Sequence, residues 1–159
     1  MATNDTEATA DDPPDQLLVS LVCLRLNHRK AVRGITRFQA LIFLAQQGGL
    51  PPDPINQPID EVFRFAPHKR GPYSADLTEV LDNATPQYVS RSKIKGAETA
   101  SVDLEITDEG IDILNTNKDV LSIDSIRTLK LTKSLYNSMP VAELLDKISA
   151  AYPEYLGEQ

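Results

Sequence analysis

The 159-residue chain has no tryptophan, one cysteine and two histidines. A lone Cys23 excludes a disulfide framework within the chain, and its place in an apolar helical stretch predicts a core residue, not a nucleophile. His28 and His68 share no metal-ligand spacing. The chain has no Gly-rich phosphate loop and no nucleophile elbow. Acidic pairs such as Asp108/Glu109 read as charges at a helix start. These absences predict a protein that is not an enzyme and uses no cofactor. No apolar run approaches the ~20 residues of a membrane helix, so no membrane partner is expected. Met1 to Gln16 lacks a basic region followed by an apolar run, which argues against a signal peptide and for a cytoplasmic protein.

What is present is unevenly charged. The net charge of −7 conceals a basic middle. Residues 1–18 hold five acids and no base, 19–95 hold eleven bases against six acids, and 96–159 hold five bases against twelve acids. Such a middle suggests a localised site for an anion, a nucleic acid or an acidic partner. The acid-rich, Lys-poor composition is similar to that of proteins from salt-loving archaea. Molar salt would shorten the reach of a basic patch to ~3 Å.

Residues 1–11 offer nothing to bury and read as a disordered acidic tail. Asp12-Pro13-Pro14-Asp15 predicts the start of a first helix, with Asp12 as cap and Leu17, Leu18, Leu21, Val22 and Leu24 on its buried face. His28 to Gly34 reads as a basic connector. A capping box, Thr36-Arg37-Phe38-Gln39, predicts the start of a second helix, apolar almost all round and therefore central. Gly48-Gly49 ends it. Leu50 to Pro58, with four prolines, reads as irregular.

The stretch from Phe63 to Leu81 is the most informative. Phe63 and Phe65 alternate with Arg64 in an extended segment that Pro67 ends. His68, Lys69 and Arg70 follow, and Gly71-Pro72 turns the chain. Ser74 caps a third helix, with Asp76 near its positive end and Leu77, Val80 and Leu81 on its apolar face. Tyr88–Ile94 and Ser101–Ile106 predict an antiparallel hairpin with Val102, Leu104 and Ile106 inward and Asp103 and Glu105 outward. Thr107 and Ser122 cap two further helices. The second of these runs through Ile126, Leu129 and Leu135, and Pro140 opens a sixth helix.

The order helix, helix, helix, hairpin, helix is that of a winged-helix domain. Leu104-Glu105-Ile106-Thr107-Asp108-Glu109-Gly110 resembles the strand, Thr, acidic, Gly, helix step that leaves the wing of many winged-helix regulators. The expected fold is mostly helical α+β: a winged-helix core over residues 12–117 with a β-hairpin wing, and two additional helices over 118–159. Those helices are a candidate homodimer or partner surface. A second resemblance covers residues 36–82. The helix Phe38-Gln39-Ala40-Leu41-Ile42-Phe43-Leu44-Ala45-Gln46, an aromatic strand, and then Gly71-Pro72-Tyr73-Ser74 resemble the Panacea, or SocA-like, family of antitoxins and phage-associated proteins. Tyr73 departs from it, since that family usually has an aliphatic residue there.

The winged-helix resemblance implies a DNA-binding transcriptional regulator. The Panacea resemblance implies an antitoxin or adaptor that grips a protein partner, such as a toxin, through the 63–81 loop. Candidate contact residues for either are Arg29, Lys30, Arg33, Arg37, His68, Lys69, Arg70, Tyr73, Ser74, Arg91 and Lys93. Cations beside helix starts suit phosphates. The competing reading pairs these cations within the molecule, with Asp60, Glu61, Asp76 or the tail. Outward Asp103 and Glu105, and the long insertion from Gly48 to Tyr73, both weigh against a simple DNA-reading wing.

Overall fold

A computed structural model of the chain describes residues 14–50, 53–54, 58–68, 71–93 and 102–155. The acidic tail, Asp12 and Pro13 lie outside the described residues. Among the described residues, six α-helices and small antiparallel sheets make a mostly helical α+β fold. No described helix is long and apolar enough to cross a membrane.

Helix α1 (Asp15–Arg29) has Pro14 at its N-cap without a side-chain cap bond. Its regular path breaks at Leu26, and Asn27, His28 and Arg29 take left-handed φ values of 58°, 60° and 62°. Strand β1 (Val32–Arg33) follows, then helix α2 (Ile35–Gln47). Gly34, at φ 94°, is the N-cap of α2, so the helix starts one residue before the expected capping box and carries no cap bond. The expected central helix is present: every residue from Phe38 to Gln46 is buried. Gly48 closes α2 in the left-handed conformation that glycine adopts without steric cost.

Of the proline-rich stretch, residues 51–52 and 55–57 lie outside the described residues, and part of the rest is regular. Strand β2 (Gly49–Leu50) pairs with β3 (Asp53–Pro54). Strand β4 (Ala66–His68) pairs with β5 (Gly71–Tyr73). Pro67 thus lies inside a strand and does not end one. It faces Pro72, and neither has an N–H to donate, so the pairing loses nothing there. Helix α3 (Ala75–Ala84) begins at Ser74, whose hydroxyl accepts from Leu77 N–H.

Strands β6 (Val89–Lys93) and β7 (Val102–Ile106) form the expected hairpin. Leu104 and Ile106 are buried, Glu105 is exposed, and Val102 and Asp103 are both half-buried. The supposed connector supplies β1, which pairs with β7 and completes a sheet of order β1-β7-β6. Helix α4 (Asp108–Thr116) starts at Thr107, whose hydroxyl accepts from Gly110 N–H. A Cβ on Gly110 would stand 2.7 Å from both Ile106 Cγ1 and the Tyr88 carbonyl oxygen. The glycine of the strand-to-helix step therefore serves close packing.

Helix α5 (Ile123–Tyr136) is capped by Ser122 as expected, and helix α6 (Val141–Ala151) leads into a 3₁₀ turn (Pro153–Tyr155). Leu135 is exposed, unlike its expected apolar role. Leu129, Tyr136, Leu144 and Ile148 join Phe38, Leu41 and Leu77 in one buried cluster, so the last two helices share the core of the first four.

Candidate functional site

The 63–81 stretch is fastened to α2 by two glutamines. Gln39 and Gln46 lie seven residues apart, on one face of the helix. The Gln46 amide oxygen accepts from Val62 and Phe63 N–H at 3.2 and 2.9 Å, and its nitrogen donates to the Phe63 carbonyl at 3.0 Å. Gln39 does the same at Ser74: its oxygen accepts from Ser74 N–H at 2.8 Å and its nitrogen donates to the Ser74 carbonyl at 3.0 Å. That nitrogen also donates to Thr78 Oγ1. Both amides are buried, and the oxygen and nitrogen of each have partners, as buried polar groups require. The segment between Phe63 and Ser74 is therefore an excursion held at both ends.

Phe63 is buried, Phe65 half-buried and Arg64 exposed, as the alternation predicts. Phe43 of α2 meets Phe65, Tyr152 and Tyr155 edge-on, with ring centroids 5.3, 5.3 and 4.8 Å apart. The Tyr152 hydroxyl donates to the Gly49 carbonyl at 2.5 Å. Gly71, at φ 103°, is buried against Leu145 of α6. A rigid base thus presents the outer side of the β4–β5 pair. There His68 is exposed, with its ring 5.3 Å from that of Tyr73. Tyr73 is 38% exposed, and its hydroxyl accepts from Thr78 Oγ1. Ile35, Thr36, Gln39, His68, Pro72 and Tyr73 line a shallow pocket of about 140 Å³. Lys69 and Arg70, between β4 and β5 in sequence, lie outside the described residues.

The remaining candidate cations are mostly engaged within the molecule. Arg29 donates to the Ile106 carbonyl at 2.9 Å and to Asp108 at 3.2 Å. Arg33 pairs with Asp103, its partner across β1 and β7, at 3.3 Å. Arg37 donates to the carbonyls of Arg33, Asn137 and Met139, and desolvation by burial, with Arg33 nearby, lowers its pKa. Arg91 meets Asp82 of α3 at 2.8 Å. Ser74 is buried as a cap. Lys30 and Lys93 are exposed. The structure thus gathers His68, Tyr73 and Ser74 at one place and spreads the arginines over the sheet and the α1–α2 turn. Among the described residues, the acids that pair with these arginines are Asp108, Asp103 and Asp82, not Asp60, Glu61 or Asp76.

The sequence matches no family model and no curated protein. The residues themselves therefore carry the functional argument.

Besides the two glutamines, two further polar residues escaped the sequence reading. Lys133 of α5 is 1% exposed, and its ammonium donates to the carbonyls of Cys23, Leu24 and Leu26 at 2.7, 3.2 and 2.9 Å. It thereby caps the end of α1, where helix carbonyls lack partners. Burial lowers its pKa. Asn137 fastens the next residues, donating to the Ala31 carbonyl at 3.1 Å. A signal for Lys133 existed: it shares the i, i+3, i+4, i+7 face with Leu129, Thr132 and Tyr136. Cys23 is buried, and burial pushes its thiol up to about 11, far from the thiolate a nucleophile needs.

Proposed function

We propose that the chain is a non-catalytic cytoplasmic adaptor of the antitoxin type that grips an acidic protein partner through the β4–β5 pair and the start of α3. The observation that carries this reading is the double glutamine clamp. It immobilises the backbone on both sides of an exposed His68–Tyr73 pair, beside Lys69 and Arg70 in the sequence. A strand pair braced at both ends, with an exposed aromatic and cationic residues next to it in the sequence, suits protein recognition. The Panacea resemblance falls on these same residues, Phe38 to Gln46 and Gly71 to Ser74.

A DNA-binding regulator is the second reading. The sheet order β1-β7-β6 and the order α1, β1, α2, α3, β6, β7, with β2 to β5 inserted between α2 and α3, support this reading. Charge weighs against it. Helix α3, in the place of a recognition helix, exposes Asp76, Glu79 and Asp82 and has no Lys or Arg. Phosphates would meet carboxylates there.

The test pairs a pull-down, with both protein and DNA identified, with titrations of the captured partner at several salt concentrations. A His68→Ala/Tyr73→Ala variant should keep its melting temperature and lose the protein partner, and duplex DNA should not compete. Duplex binding whose log K falls by ~0.9 per phosphate contact with log salt would replace the adaptor with the regulator.

A further inference from the structure

A second cavity, of about 550 Å³, opens between α1, α4 and α5. This is within the range of ~300–1,000 Å³ of small-molecule sites. Its floor is apolar: Leu18, Val22 and Leu26 from α1, Leu114 from α4, Leu121, and Ile126 from α5. Its rim carries the cations Arg25, Lys118 and Lys130, with the His28 ring beside them, and no carboxylate among the lining residues. In a chain of net charge −7, a rim of one positive sign is selective for anions. Among the described residues, none of these four groups makes an ion pair. Arg25 makes a neutral contact, donating to Asn115 Oδ1 at 3.2 Å.

A further observation sets this cavity apart from a packing defect. One wall includes Asn27 and His28, at φ 58° and 60°. Left-handed backbone at residues other than glycine is costly and gathers at ligand clamps. Lys133 holds this wall by its bond to the Leu26 carbonyl, and Asn27 Nδ2 donates to Ser134 Oγ at 3.2 Å. The strained turn that lines the cavity is thus braced from α5.

We propose that this cavity binds a small amphipathic anion, an aliphatic or aromatic chain ending in a carboxylate, with the chain on the leucine floor and the head group at Lys118, Lys130 and His28. The acidic start of the sequence does not suit the floor. Residues 1–13 hold carboxylates but, apart from Met1, no large apolar side chain.

Dodecanoate, dodecanol and dodecyltrimethylammonium share one chain and differ in charge, so they serve as probes. They are titrated into isotope-labelled full-length protein at low salt, with amide resonances followed by NMR. Dodecanoate should shift Val22, Leu26, Leu114, Leu121 and Ile126 and bind about tenfold tighter than dodecanol. The ammonium probe should bind most weakly. Lys118→Glu/Lys130→Glu should lower dodecanoate affinity by roughly tenfold and leave dodecanol affinity unchanged, because both lysines are exposed and their loss spares the floor. Equal affinity for the three probes, or shifts centred on the exposed Leu131 and Leu135, would overturn the proposal. Should the double variant not fold, the probe series and shift map on the unaltered protein still decide it.

Discussion

The excursion from Phe63 to Ser74 and the turn from Leu26 to Ala31 are both held by side chains of a neighbouring helix. They are held by different chemistry. At Phe63 and Ser74 the chain presents an N–H and a C=O side by side, and a carboxamide answers both. At the end of α1 it presents three carbonyls, and a pure donor, the Lys133 ammonium, answers those. The side-chain type follows from what the backbone offers. The amide clamps bury no charge, whereas the lysine clamp leaves a cation to be desolvated.

Breaking an amide clamp should have the largest effect. Gln46→Leu removes three hydrogen bonds and leaves Val62 N–H and both polar groups of Phe63 without partners. Stability should fall by about 3–4 kcal/mol in denaturant titration. Gln46→Glu sharpens the point: it keeps the acceptor for both N–H groups but buries a charge and sets a carboxylate oxygen against the Phe63 carbonyl. Its loss at neutral pH should match or exceed that of Gln46→Leu, and it should shrink as pH falls and the acid takes up the proton that restores a donor.

Lys133→Met should cost somewhat less, about 2–3 kcal/mol, because relief from burying a cation offsets part of the three lost bonds. The pH dependence separates the two clamps. The folded-state pKa of Lys133 lies below its unfolded value of 10.5. As pH rises through the folded value toward 10.5, the unfolded chain retains a proton that the folded chain has shed. Stability of the parent should then rise relative to Lys133→Met. Melting curves in a Cys23→Ala background, where no thiol titrates, measure this. Gln46→Leu should show no such difference.

The smallest effect is expected at the surface. Arg33 and Asp103 face each other across β1 and β7, and the Arg33 side chain is 63% exposed. Arg33→Ala should cost no more than ~1 kcal/mol, and that difference should shrink in high salt.

The same contrast explains what the sequence made legible. Ser74, Thr107 and Ser122 caps, the Gly48 stop, the all-round apolar α2 and the β6–β7 hairpin each leave a local signature, because one short window contains cause and effect. Strand β1 has only two residues, too few for alternation, and exists because β7 offers an edge seventy residues away. The β2–β3 pair hides among prolines for a similar reason. Gln39, Gln46 and Lys133 read as ordinary polar residues, since their partners are distant backbone groups that carry no sequence mark. The candidate site was legible as the Gly71–Ser74 turn. The internal pairing of Arg29, Arg33 and Arg91 needed three-dimensional neighbours to be seen.

The aromatic seal on Phe43 bears on how the chain is made. Tyr152 and Tyr155 reach Phe43 and Gly49 from about a hundred positions downstream. While the ribosome is still building the segment between them, the helix with the longest buried run among the described residues has one side unprotected. A nascent chain in that state is a natural client for holding chaperones, and translation must pass Tyr155 before that side can close.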